Sequence, residues 1–196
     1  THVEPAERVV RVSSRLAGAD ARPVLDRFEA SFLETLRVVP QMSGIFVATS
    51  DGGFSFVSRD GDGYRIKTIR TVDGERTTQL VLLDANGTVT ATEDDPTDTF
   101  DPTVRPWYTL ALGAPDDVIW TDPYVFFTSQ ELGITVATTV ERGGVPVGVV
   151  GADIELGSLS EFLAALPVGE NGGTIVTDNN GVVIAHPDPS LIQMPD

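Results

Sequence analysis

Apolar residues recur at three- and four-residue steps in the first part of the chain and at two-residue steps after Pro40. Leu25, Phe28, Phe32, Leu36 and Val39 share one face of a helix predicted over residues 20–39. A helix also fits residues 4–16, through Val9, Val12 and Leu16. Residues 18–23, from Gly18 to Pro23, either separate the two or kink a single one, and a long helical entry is the favoured reading.

Beyond Pro40 the alternation predicts strands at residues 44–50 and 54–59 around Asp51-Gly52, a dipeptide suited to a tight hairpin turn. The same reading places strands at 80–84 and 88–92 around Asn86-Gly87, and at 134–140 and 145–154 around Gly143-Gly144. The sheet is therefore mostly antiparallel. Residues 93–117 interrupt it, with RPWYTLALG at their centre reading as a short helix that Gly113 and Pro115 end.

Residues 155–166, with Leu159, Phe162, Leu163 and Leu166 on one face, predict a helix closed by Pro167 and Gly169. Residues 174–178 and 182–186 form a further hairpin through Asn180-Gly181. A lone two-stranded ribbon is not stable in water, so this tail reads as the opening of a second, incomplete module. The organisation expected is a helical segment at 1–40, a ligand-binding module at 41–166 and the start of another at 167–196.

Composition narrows the chemistry. The 196 residues are 41% hydrophobic, enough for a packed core. Thirteen basic against 29 acidic residues give a formal charge of −16, a field that repels nucleic-acid phosphates and anionic lipid alike. Cysteine is absent, which removes disulfides, thiolate catalysis and cysteine-based zinc sites. No apolar run approaches the roughly 20 residues needed to span a bilayer, so membrane anchoring is expected through segments outside this chain.

Candidate sites are few. Asp60, Asp62 and Asp178 resemble fragments of a calcium loop, but the twelfth position counted from Asp60 is Thr71, and turn chemistry explains them better. His2 and His186 are the only histidines, too few for a histidine triad with partners or a multi-histidine metal site. No nucleophile elbow, phosphate loop or metalloprotease motif is present, and the glycines of RGGVPVGVVGAD lie in a strand-turn-strand pattern rather than at a strand-to-helix turn. No catalysis, metal or cofactor is expected.

The stretch RPWY, residues 105–108, sets a permanent cation beside two large aromatics. A guanidinium grips a carboxylate through paired hydrogen bonds, an indole N–H adds a donor, and surrounding rings exclude water. The alternative is a surface arginine stacked on a tryptophan that plugs the core.

GIFVATSDGGF, RPWYTLA, WTDPYVF and GVPVGVVGADIELGSLSEFL follow a long N-terminal helix in that order, and in this the chain resembles the double-Cache (dCache) sensor domains found outside the membrane in bacterial chemoreceptors, sensor kinases and cyclases. The resemblance covers residues 20–166. It implies an α+β fold with a PAS-like antiparallel sheet, and an extracytoplasmic small-molecule-sensing domain of a bacterial membrane receptor. It also implies that Arg105 and Trp107 hold a ligand carboxylate with help from Tyr124, and that Asp153 helps bind an amino group. With Tyr108 these form the expected pocket.

Two positions depart from the amino-acid-binding pattern of that family, since Phe100 and Phe126 stand where a tyrosine and an aspartate are expected. The carboxylate clamp is intact while two amine contacts are lost. The expected ligand is therefore a small carboxylate, ahead of an amino acid, with its apolar part against Phe100 and Phe126. A ligand-free PAS-like module that dimerises is the rival reading.

Overall fold

The computed structural model describes residues 4–19, 25, 28–165, 174–177, 181, 183–188 and 191. Its centre is a nine-stranded sheet, antiparallel at every pairing. The strands are β1 (Gly44–Thr49), β2 (Phe54–Asp60), β3 (Gly63–Val72), β4 (Glu75–Leu83), β5 (Val89–Asp94), β6 (Ile119–Trp120), β7 (Tyr124–Val125), β8 (Leu132–Arg142) and β9 (Val145–Glu155). Their order is β5-β4-β3-β2-β1-β9-β8-β6, with β7 also on β8. The hairpin turns fall where glycine was expected: Gly52, Gly87, Gly143 and Gly144 have positive φ, a region costly for other residues.

Two helices enter before the sheet. The first, α1 (Glu4–Ala19), and the second, α2 (Glu29–Val38), are distinct elements, because Phe28 sits in a bend ahead of α2. The helix expected over 20–39 is thus shorter, although Leu25 and Phe28 are buried with Phe32 and Leu36 as the apolar spacing implied. Residues 20–24, 26 and 27 lie outside the described residues.

The buried face of α1 also differs from the expectation. Ala6, Val10, Ser13 and Ala17 are buried, whereas Val12 and Leu16 are more than half exposed. Small residues explain the rotation. At Gly18 a methyl group would collide with the backbone carbonyl of Glu141 on β8, so the smallest face of α1 lies closest to the sheet. Trp120 fixes the position from β6, donating from Nε1 to Glu7 Oε1 at 2.9 Å.

The centre of the sheet, in β1, β8 and β9, is buried on both faces, which is why β1 has no polar alternation. Ile45 and Val47 join the core under α1 and α2, with Val57, Val136, Val150, Ala152 and Ile154. Phe46 and Ala48 point the other way, into a second core with Phe54, Ile69, Trp107, Ala111 and Val149. That second core is covered by α3 (Pro106–Gly113). Arg59 finishes the carboxyl end of α2 by donating to the carbonyls of Met42 (3.0 Å), Val39 (3.4 Å) and Leu36.

Strand β3 was not foreseen. After β9, α4 (Leu156–Ala165) packs Leu156, Leu159 and Leu163 into the first core, close to the expected bounds; the Phe162 side chain, Leu166 and the closing Pro167 and Gly169 are outside the described residues. The last hairpin is β10 (Val176–Thr177) on β11 (Val183–Ala185). Its Ile184 and Ala185 bury against the first core. His2 and Asp178 are also outside the described residues.

Candidate ligand-binding site

Arg105 ends a short 3-10 turn, Pro102–Val104, and caps α3. Pro106 forces the residue before it out of the helical region, and Arg105 is extended with φ −77° and ψ 151°. The preceding turn is fixed by Asp101, whose carboxylate accepts from the Thr103 N–H at 2.8 Å. Trp107 then enters the second core, with its ring 4.3 Å from the centroid of Phe46.

A buried ion network holds the other end of this segment. Asp98, 3% exposed, accepts from Lys67 Nζ at 2.7 Å, Arg76 Nη2 at 2.9 Å and Thr78 Oγ1 at 3.0 Å, and Arg76 also donates to the Phe100 carbonyl at 2.7 Å. Burial alone would raise the Asp98 carboxyl, but the Lys67 contact and charge hold it below the usual carboxylate range. The Lys67 ammonium lies 4.9 Å from the Phe100 ring centroid and 5.6 Å from that of Phe127.

A cavity of about 410 Å³ opens between this segment, the β6 to β8 connection and the sheet. Phe100, Arg105, Trp107, Tyr124, Phe126 and Asp153 all line it. Tyr108, expected there, does not. Neighbouring helical residues point about 100° apart, so Tyr108 packs in the second core beside Trp107, edge-on to it at 5.7 Å, without reaching the cavity that Trp107 lines. Burial raises its phenol, and the charges of Asp51 and Asp101 add to the effect.

The guanidinium of Arg105 stands among aromatic rings, 5.9 Å from the Phe100 centroid, 5.8 Å from Tyr124 and 6.0 Å from Phe127. Among the described residues no side chain or carbonyl accepts a hydrogen bond from it. The opposite wall is acidic. Thr135 Oγ1 donates to Asp153 Oδ1 at 2.6 Å and lies 2.7 Å from Tyr124 Oη. A hydroxyl has one proton, so with that proton given to Asp153 the Tyr124 hydroxyl is the donor to Thr135. Burial pushes the Asp153 carboxyl up to about 7, with Thr135 opposing, Glu155 adding and the charge of Arg105 opposing. Burial likewise raises the Tyr124 phenol far above its ordinary value, with Asp153 adding.

Sequence reasoning missed several lining residues: Glu131 and Glu155 beside Asp153, Arg65 and Ser58 on the far side, and the rings of Phe46, Phe54 and Phe56. Glu155 had a signal, because two residues on from Asp153 in one strand is the same face of the sheet. Glu131 belongs to a loop and Arg65 to the unforeseen β3, while Phe46, Phe54, Phe56 and Ser58 lie on the predicted strands β1 and β2, where alternation alone does not say which face meets a cavity.

An antiparallel sheet with helices on one face and a cavity between its other face and a short helix is the architecture of a Cache-type sensor domain. The chain belongs to the family described as methyl-accepting chemotaxis protein-like, first PDC sensor domain, whose family model matches residues 47–161. It is 35% identical over 115 residues to the methyl-accepting chemotaxis protein PctB of Pseudomonas aeruginosa, covering 59% of this chain and 18% of that protein. It is 27% identical over 168 residues to adenylate cyclase 1 of Rhizobium meliloti, covering 79% of this chain and 25% of that protein. The chain thus spans a quarter or less of these relatives. Among solved structures, the ligand-binding domain of the Pseudomonas fluorescens chemoreceptor CtaA, in complex with L-serine, matches with a TM-score of 0.62 at 22% identity, over 95% of this chain and 64% of that one. The ligand-binding domain of PctB in complex with L-Arg matches with a TM-score of 0.58 at 21% identity, over 95% and 63%.

Proposed function

We propose that the chain is the extracytoplasmic sensing region of a membrane-anchored bacterial receptor and that its cavity binds, without transforming, a small molecule carrying a carboxylate. The observation that carries this reading is the Arg105 guanidinium, unpaired among the described residues and walled by aromatic rings in a cavity of about 410 Å³. A partly dehydrated cation without an acceptor is costly, and a bidentate carboxylate is the group that best relieves it. Trp107 lines the same cavity and its indole N–H is a further donor, while the Tyr124 ring walls the guanidinium. In this arrangement residues 1–40 form the helical entry, 41–166 the ligand-binding module and 167–196 the start of a membrane-proximal module. The output domain and membrane anchor belong to other parts of the protein. No helix among the described residues is long and apolar enough to cross a membrane.

A second reading, an α-amino acid, is favoured by the acidic wall. Phe100 and Phe126 offer no acceptor to an ammonium, which argued for a simple carboxylate, but Glu131 and Glu155 line the cavity beside Asp153. Burial, with the charge of Glu155 adding, keeps Asp153 partly protonated at neutral pH, and an ammonium beside it would favour the ionised form. The related chemoreceptor domains with L-serine and L-arginine bound support this reading by analogy.

A thermal-shift screen of paired monocarboxylates and amino acids tests both. A ligand at 100 times its Kd stabilises by about 2.7 kcal/mol. Stabilisation by neither class, with the protein folded, overturns the carboxylate site; stabilisation by monocarboxylates alone removes the second reading.

A further inference from the structure

We propose that the cavity has a second polar end, built by Arg65 and Ser58, and that the ligand carries a neutral hydrogen-bond acceptor, a carboxamide or ketone oxygen, remote from its carboxylate. This rests on Arg105 holding that carboxylate.

The register of the sheet sets the two ends apart. Arg65 pairs with Ser58, Ser58 with Gly44, Gly44 with Asp153 and Asp153 with Thr135, so these residues form one row across β3, β2, β1, β9 and β8. Directly paired residues share a face. Arg65, Ser58 and Asp153 all line the cavity, which therefore runs across the strands. Three interstrand steps separate the backbones of Asp153 and Arg65, about 14 Å. The middle of the row is apolar: Gly44 has no side chain, and Phe56 leans over it where a methyl group would collide with the ring.

The far end has donors to offer. Arg65 Nη2 is paired with Asp60 Oδ2 at 2.9 Å, and Asp60 adds negative charge at this end of the lining. Arg65 Nη1 and the Ser58 hydroxyl have no hydrogen-bond partner among the described residues, whereas Arg65 Nε, also unpaired, is enclosed by protein. A second anion would be repelled by Asp60, while a neutral oxygen would satisfy Nη1 and the hydroxyl together. The volume agrees with a ligand that reaches both ends, since about 410 Å³ corresponds to roughly 14 water volumes. A two-carbon acid would leave most of that space to solvent.

Isothermal titration of the 196-residue chain with two matched series tests this. One series is 4-carbamoylbutanoate, pentanoate and glutarate; the other is L-glutamine, L-norvaline and L-glutamate. In the series that binds, the amide should be about tenfold tighter than both the alkyl and the dianionic members, as expected for donors of this kind. Arg65→Met should bring the amide and alkyl members to parity, read as their ratio within the variant. Ser58→Ala, a milder change, should remove part of the preference. Equal affinities in the wild type, a preference that survives Arg65→Met, or binding of acetate and glycine but of neither series overturns the second polar end while the carboxylate site stands. Failure of every carboxylate to bind overturns the site itself and this inference with it.

Discussion

Thr135 and Asp153 face each other in register across β8 and β9, and the threonine hydroxyl donates to the aspartate at 2.6 Å. This is the hydrogen bond that keeps a buried carboxyl, with Glu155 nearby, from rising further. The folded state still holds the Asp153 proton up to about pH 7, whereas an unfolded aspartate loses it near pH 3.9. The stability this proton contributes is therefore complete below about pH 4 and lost as pH rises through 7. In urea denaturation, the wild type should lose stability relative to Asp153→Asn between pH 4 and pH 8; a constant difference would contradict the assignment. An ammonium ligand pairs with the ionised form, so its affinity should rise between about pH 6 and pH 8, where a monocarboxylate is already ionised and its affinity should not rise.

Arg105→Ala should abolish carboxylate binding, a loss of about 2 to 5 kcal/mol for a charge-assisted contact in a partly buried site. The fold should survive, because among the described residues the guanidinium makes no hydrogen bond. Calorimetry on the folded variant decides it: unchanged affinity would exclude Arg105 as the anchor.

Phe126 lies over Gly133, where a methyl group would collide with its ring, and edge-on to Tyr124 at 5.1 Å. Phe126→Asp supplies an acceptor next to the acidic wall. It should raise affinity for amino acids relative to matched monocarboxylates, and an unaltered ratio in competition binding would refute the placement of the ammonium near Phe126.

Asp98→Ala should cost about 3 to 5 kcal/mol in urea denaturation, because it leaves Lys67 buried without its partner. Ligand affinity should fall as well, since the same carboxylate takes the Phe100 N–H at 3.3 Å and so fixes the segment that leads to Arg105. A variant as stable as the wild type would show that water replaces Asp98.

The sequence was most informative where the rule is local. Asp51-Gly52, Asn86-Gly87 and Gly143-Gly144 located turns because positive φ is a property of single residues. Strand β3 escaped because Arg65, Lys67 and Arg70 read as solvent-facing, yet Lys67 is 6% exposed. Its counter-charge, Asp98, lies 31 residues away, and only folding brings the two together. The same limit applies to the site: Arg105, Trp107, Tyr124 and Asp153 could be picked out by motif, while Glu131, Arg65 and Ser58 gain meaning only from sheet register and loop path. Tyr108 was misplaced by one step of a helix, an error that adjacency in a motif invites.

Successive residues of a strand point to opposite sides. Thr135 and Asp153 face the cavity, while Ile134, Val136, Ala152 and Ile154 are buried on the other side, in the core shared with α1 and α4. The floor beneath a ligand is thus the ceiling of the helical layer, a single residue thick. At Gly18 the backbone of α1 rests so near the Glu141 carbonyl of β8 that a methyl group would not fit, so any displacement of β8 at that point would meet the helix directly.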